Sequence, residues 1–274
     1  MTDALWWDLP LDDLRAERRE IDGRHLAVVT LDLPDKRNAM SDAMTDSWVR
    51  LMDALSADTE LAAVVVTGAG PAFCAGGNLD WIVADKGSSV ADLRRRMLAF
   101  YRSWLSIRAL EVPTIAAVNG HAIGAGLAVA LACDIRYVAQ EARLGVPFTH
   151  LGLHPGMAST WSLPDVAGLA VARDLLLTGR VIDGDEAVRL GLASRALPSA
   201  QVLDEALGAG ERIARSAPIA SRLTTLALRD GGHAGPEEAL QWEALAQAVT
   251  LTTDDVHEGI AAAAQKRPAR FVGR

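Results

Sequence analysis

Cysteine is nearly absent from this 274-residue chain: only Cys74 and Cys133 occur, and they form no CxxC pair. That excludes a disulfide-stapled scaffold and suits a reducing cytoplasm. Basic residues are in deficit, with 27 Lys and Arg against 35 Asp and Glu and a net charge of −8, which disfavours a nucleic-acid surface. No apolar run reaches the length of a membrane span; the longest, Ala122 to Cys133, contains glycines and stops at Asp134. Met1 to Asp12 is acidic and has no basic n-region, so no secretory leader is expected there. Trp6, Trp7 and Leu9 in that stretch either dock on the body or a neighbouring subunit, or stand in a partly ordered tail. GxxxxGK[ST] and GxSxG are both missing, which disfavours P-loop and serine-hydrolase chemistry.

Half of the residues are apolar, enough for one large domain with a substantial core, alone or with a helical appendix. The chain is organised around residues 114–134. An apolar β-type run, Thr114 to Val118, ends at the turn dipeptide Asn119-Gly120, and Gly124 and Gly126 open an alanine-rich helical segment. A strand, a tight turn and a glycine-started helix leave backbone N–H groups unpaired at the helix entrance. With the positive end of the helix dipole, they suit an anion or a developing oxyanion. Gly124-Ala125-Gly126 also begins like a dinucleotide fingerprint, but the third small residue and the distant acid are lacking, so that reading is weak.

Upstream, Glu17 to Asp22 and His25 to Leu33 read as a hairpin around Gly23, and Ser41 caps a helix whose apolar face includes Met44, Trp48, Leu51 and Leu55. Leu61 to Thr67 reads as a strand buried on both faces, followed by a glycine-rich loop from Gly68 to Asp80. Val90 to Leu110 has helical spacing. Downstream, Ile135 to Ala139 is a short strand and Val146 to Gly156 a loop. Helices are then expected at 168–178, 183–190, 200–216, 217–228 and 236–252, with a last one capped at Thr253. Strands alternating with helices, then helices only, imply an α/β core with a helical C-terminal part. The domain reading is an extension at 1–15, a core at 16–200 and a helical region at 201–274. His150 and His154 are four apart, but Gly152 and Pro155 argue against a shared helix, so ordinary loop histidines are favoured over metal ligands. Asp134 reads as a cap or ion-pair partner, and Lys36 and Arg37 as solvated loop charges or a phosphate contact.

Three motifs taken together resemble the crotonase (enoyl-CoA hydratase/isomerase) superfamily. They are Pro34-Asp-Lys-Arg-Asn-Ala39; Val65-Val-Thr-Gly68 followed by Ala72-Phe-Cys-Ala-Gly-Gly-Asn-Leu79; and Ile115-Ala-Ala-Val-Asn-Gly120 through Cys133-Asp-Ile135. The likeness runs on through Leu176 to Arg180, Ala187 to Leu192 and Gln265 to Phe271, so it spans about residues 16 to 271. It implies a spiral of ββα repeats with C-terminal helices that build a trimer or a dimer of trimers, and binding of acyl-coenzyme A in a bent conformation. By that resemblance the Ala75 carbonyl meets the adenine and Lys36 and Arg37 border the nucleotide. Lys266 approaches its phosphates, in some members from another subunit. The oxyanion hole is the pair of N–H groups of Gly77 and Ala125. No metal is implied, and coenzyme A enters as part of the ligand.

The sequence departs from the family at the chemistry. Hydration across a double bond needs a base for water and an acid for carbon, supplied in the family by two glutamates. Alignment through Gly124, Gly126 and Asp134 puts Ala128 at the first, and alignment through Gly145, Pro147 and Gly152 puts Phe148 at the second. An aspartate that some members carry farther along falls at Gly156. Losing both glutamates removes a factor of roughly 10²–10⁴, so hydration is expected to be weak or absent. Three readings follow. The chain is an acyl-CoA-binding member of lipid metabolism without strong chemistry. Alternatively it catalyses decarboxylation, thioester hydrolysis or isomerisation on the oxyanion hole with His150 or His154. In the third, a carboxylate from elsewhere, such as Asp80, substitutes.

Overall fold

The computed structural model describes residues 5–77, 87–229 and 235–274. Among the described residues, nine strands form two sheets. β1 (Leu14–Ile21) and β2 (Arg24–Leu31) make an antiparallel hairpin whose turn residues, Asp22 and Gly23, both have positive φ (52° and 82°). That is the twist-matched geometry of a two-residue hairpin turn, and it explains why Asp-Gly stands there. β2 pairs in parallel with β3 (Leu61–Gly68), and the sheet goes on in parallel through β5 (Thr114–Val118), β7 (Ile135–Ala139) and β9 (Arg195–Leu197). The short strands β4 (Ala72–Cys74), β6 (His121–Ile123) and β8 (Leu144–Gly145) form a second, parallel sheet. Three times over, the chain lays one strand in the large sheet and the next in the small one. This is the expected crotonase-like spiral of repeats, and it places the ends of successive turns side by side.

Every residue of β3 and β5 is buried, as befits parallel strands covered on both faces. Around the sheets run α1 (Asp42–Ala57), α2 (Val90–Leu105), α3 (Ala125–Ala132), α4 (Ser159–Thr178), α5 (Gly184–Arg189), α6 (Ser199–Ala214), α7 (Pro218–Arg229), α8 (Pro236–Leu251) and α9 (Asp254–Gln265). Ser41 caps α1 through Met44 N–H, as its sequence implied, and the Trp48 ring of α1 stacks on Trp104 of α2 at 4.8 Å between centroids. α4 is longer than the helix read from 168 onward, because the chain continues through Gly168 (φ 80°, ψ 157°) as a kink between two helical pieces. The boundary drawn after residue 200 falls two residues into α6, a helix that lies across β2, β3, β5 and β7. The part without a sheet beneath it begins after that helix.

The N-terminal extension docks on the body. Trp6 is buried and donates its indole N–H to Asp58 (2.8 Å), while Trp7 meets His25 edge-on and lies under the Arg18 guanidinium. At the other end, Arg229 of α7 grips Asp134 with two nitrogens (2.7 and 2.5 Å) and donates to the carbonyls of Arg108 and Val112. Asp134 in turn accepts from the N–H and hydroxyl of Thr114. The ion-pair reading of Asp134 is therefore the one the fold adopts. It fastens the exit of α3 to the start of β5.

Candidate functional site: two amide donors facing an apolar cavity

The site is built by two loops pressed together. The first leaves β6 at Gly124, whose φ of 59° and ψ of −119° only glycine adopts without strain, and enters α3 directly. Gly124 N–H donates to Gly145 (2.8 Å), and the helical ladder begins with Ala128 N–H on the Gly124 carbonyl (3.1 Å). Among the described residues, the N–H groups of Ala125, Gly126 and Leu127 have no acceptor, as the first turn of a helix requires. The second loop follows β4. Ala75 N–H donates to the Arg37 carbonyl and Met40 N–H to the Gly76 carbonyl, both at 2.9 Å. This leaves Gly77 N–H, likewise without an acceptor among the described residues.

Contact between the loops is close enough to demand glycine on both sides. A methyl on Gly76 (φ 100°) would lie 2.7 Å from the Ile123 carbonyl oxygen and 3.4 Å from Ala125 N. One on Gly126 would collide with the Cys74 carbonyl. Behind the second loop, the fully buried Asn38 accepts from Leu33 N–H and donates to the carbonyls of Ala69 and Ala72 at 2.8–2.9 Å. The Cys74 thiol donates to the Asn38 carbonyl (3.0 Å), and burial pushes its pKa up to about 12, so it serves as packing, not as a nucleophile.

Gly77 and Ala125 both line one cavity of about 240 Å³. Most of its wall is carbon and sulfur, from Met97, Phe100, Phe148, Leu151, Leu153 and Met157. The ionisable groups on the described lining are Asp42, Tyr101 and His154. Phe148, on a short 3-10 turn, lies against Gly124, within 3.5 Å of where a β-carbon there would stand. Ala128 is buried one turn into α3 and does not reach the lining. No glutamate lines the cavity among the described residues.

The two histidines part company. His154 lines the cavity at an exposed position, with Nδ1 2.7 Å from the Pro155 carbonyl. His150 is exposed and its ring sits over Gly179 at the end of α4, away from the lining. Asp80 lies outside the described residues. Ala75 lines the cavity, and the Ala75–Arg37 hydrogen bond sets the exposed Lys36 and Arg37 beside it. Lys266 is the left-handed cap of α9 (φ 53°), exposed and not on this cavity. Tyr101, Asp42 and Met40 were not singled out by sequence. The spacing of Met97, Phe100 and Tyr101 marks one face of a helix, but periodicity does not tell what that face meets. Among the described residues no cluster of side chains could hold a metal ion.

What this arrangement can do is bind a carbonyl oxygen between two fixed amides and stabilise charge that develops on it. Known proteins share the frame. The enoyl-CoA hydratase/isomerase family pattern matches residues 22–274. The 2,3-dehydroadipyl-CoA hydratase of Escherichia coli is 33% identical over 92% of this chain and 96% of its own length. The mitochondrial methylglutaconyl-CoA hydratase of Rattus norvegicus is 34% identical over 96% of this chain and 84% of its own. Among solved structures, an enoyl-CoA hydratase from Bacillus anthracis superposes with a TM-score of 0.89 at 30% identity, covering 96% of this chain and all of that one. The chain thus belongs to the enoyl-CoA hydratase/isomerase family of the crotonase superfamily, whose members act on coenzyme A thioesters.

Proposed function

We propose that this protein binds an acyl-coenzyme A with the thioester oxygen between the N–H groups of Gly77 and Ala125, and that it hydrates plain 2-enoyl thioesters weakly or not at all. The observation that carries this reading is the contrast within one cavity. Gly77 and Ala125 line it, and their N–H groups have no acceptor among the described residues. Phe148 stands on its wall and Ala128 is buried behind it, at the two positions where the resemblance expects carboxylates. Polarising the carbonyl favours an enolate, but without a paired base and acid the addition of water loses roughly 10²–10⁴-fold.

The rest of the ligand follows from the same placement. The Ala75 carbonyl receives the adenine amino group, and Lys36 and Arg37 border the nucleotide. Lys266, remote from its own cavity, reaches a phosphate from a neighbouring protomer. That role fits an assembly of three chains or two sets of three. α8 buries none of its residues, and Leu240, Leu245 and Leu251 on it are exposed, a face suited to another subunit. No described helix is long and apolar enough to cross a membrane, and both cysteines are free and buried. Work in the cytoplasm on acyl-CoAs of lipid metabolism is consistent with both facts.

A second reading is favoured by His154 alone. A histidine on the cavity could supply a proton for decarboxylation, isomerisation or thioester hydrolysis on the oxyanion hole. His150, facing Gly179, leaves that role. Calorimetric titration with acyl-CoAs of several lengths, run beside assays for hydration and those three reactions, separates the readings. Binding without turnover is the expected result. Turnover lost in His154→Gln would select the second reading, and absence of binding to any acyl-CoA would overturn both.

A further inference from the structure

Besides His154, the described lining carries two ionisable groups, Asp42 and Tyr101, and of these Tyr101 is the neutral hydrogen-bond donor. Tyr101 stands on α2 one turn after Met97 and lines the cavity, with its hydroxyl beside Gly156, another lining residue. Among the described residues its hydrogen-bond partner is the Met97 thioether, at 3.7 Å, a weak acceptor. The hydroxyl packs close to the opposite loop: a methyl on Gly156 would lie 2.5 Å from its oxygen and 2.9 Å from the ring carbon bearing it. A side chain at 156 and the phenol at 101 therefore compete for one space, and here the phenol has it. Burial raises its pKa, so it remains a neutral donor and a poor acid, suited to recognition more than to proton transfer.

An O–H whose protein partner is a thioether, on a largely apolar cavity, can turn to a stronger acceptor when a ligand brings an oxygen. The ligand oxygen should be uncharged. No arginine or lysine lines the cavity among the described residues, and a carboxylate set among Phe148, Leu153 and Met157 would lack a counter-charge. We infer that Tyr101 determines specificity by donating a hydrogen bond to a neutral oxygen on the acyl group, so that the preferred ligands are hydroxy- or oxo-acyl-CoAs rather than hydrocarbon acyl-CoAs. This rests on the thioester reading of the site and names the class of acyl group it takes.

The test is calorimetric titration of the full chain with two matched sets: butyryl-, 3-hydroxybutyryl- and 3-oxobutyryl-CoA, then hexanoyl-, 5-hydroxyhexanoyl- and 5-oxohexanoyl-CoA. One neutral hydrogen bond corresponds to about tenfold in affinity. At least one oxygenated ligand should bind the native chain about tenfold tighter than its hydrocarbon partner. Tyr101→Phe should erase that preference. Gly156→Ala, which displaces the phenol without removing it, should erase it too. Equal binding within both sets by the native chain overturns the inference while leaving the thioester reading in place, as does a preference that survives Tyr101→Phe. If no acyl-CoA of either set binds the native chain, both fall together.

Discussion

The two sides of the cavity are built on different principles. On the donor side, Gly77 and Ala125 contribute main-chain amides, and what holds them is packing: Gly76 against Ile123, Gly126 against Cys74, and Asn38 pinned to three segments of backbone. On the facing side stand Phe148, Tyr101, Leu153 and Met157, side chains on α2 and on the loop between β8 and α4. A main-chain donor survives almost any substitution that keeps the fold. Side-chain acids vanish with a single replacement. We propose accordingly that the chain keeps the frame of an acyl-CoA site without the paired acids of hydration.

The largest effect should come from loosening the donor side at its anchor. Arg229→Ala strips the partner from Asp134 and frees the exit of α3, with an expected loss of about 3 kcal/mol, read from urea unfolding. A loss under about 1 kcal/mol would show that the donor side does not depend on this tie. Next, Ala125→Pro removes one amide at the first helical position, where proline is tolerated. Any turnover of a thioester should fall about 10²–10³-fold with stability nearly unchanged. A variant as active as the parent would remove Ala125 from the site.

The facing side can be sharpened in the opposite direction. Ala128→Glu with Phe148→Glu restores two carboxylates and should raise crotonyl-CoA hydration by about 10²-fold, followed by loss of enoyl absorbance. No gain in a folded double variant would mean that position 128, buried in this chain, does not reach the substrate.

The smallest effect lies at the N-terminal strap. Burial pushes the Asp58 pKa up, but hydrogen bonds from His25 and Trp6 and from Glu60 N–H outweigh it and hold the net value below the usual aspartate range. A depressed carboxylate stabilises the fold above its unfolded pKa and stops doing so as pH falls through its folded one. Trp6 fluorescence should therefore stay in its docked form from neutral pH down to about pH 5 and change only below pH 4. Release near pH 6 would contradict that sign.

Much of this was legible in the residues. Asp22-Gly23 fixes a hairpin turn, Ser41 a cap, and the uninterrupted apolar run from 61 to 67 a strand buried on both faces. Gly124 and Gly126 could be read as the entrance of α3, and Gly76 and Gly126 prove to be where two backbones touch. Side-chain partners distant in sequence could not. Nothing local says that Tyr101 faces Gly156, that His150 turns to Gly179 while His154 lines the cavity, or that Trp6 finds Asp58. Each is decided by how successive turns of the spiral stack, a tertiary property that no window of sequence contains.

The claim beneath all of this is that two amides pull on one thioester oxygen, and vibrational spectroscopy reads that pull directly. With a butyryl-CoA labelled with carbon-13 at its carbonyl, the infrared difference spectrum of the complex should show the stretch moved to lower frequency. The displacement should shrink in Ala125→Pro. A bound ligand whose carbonyl vibrates at its free-solution frequency would contradict the account.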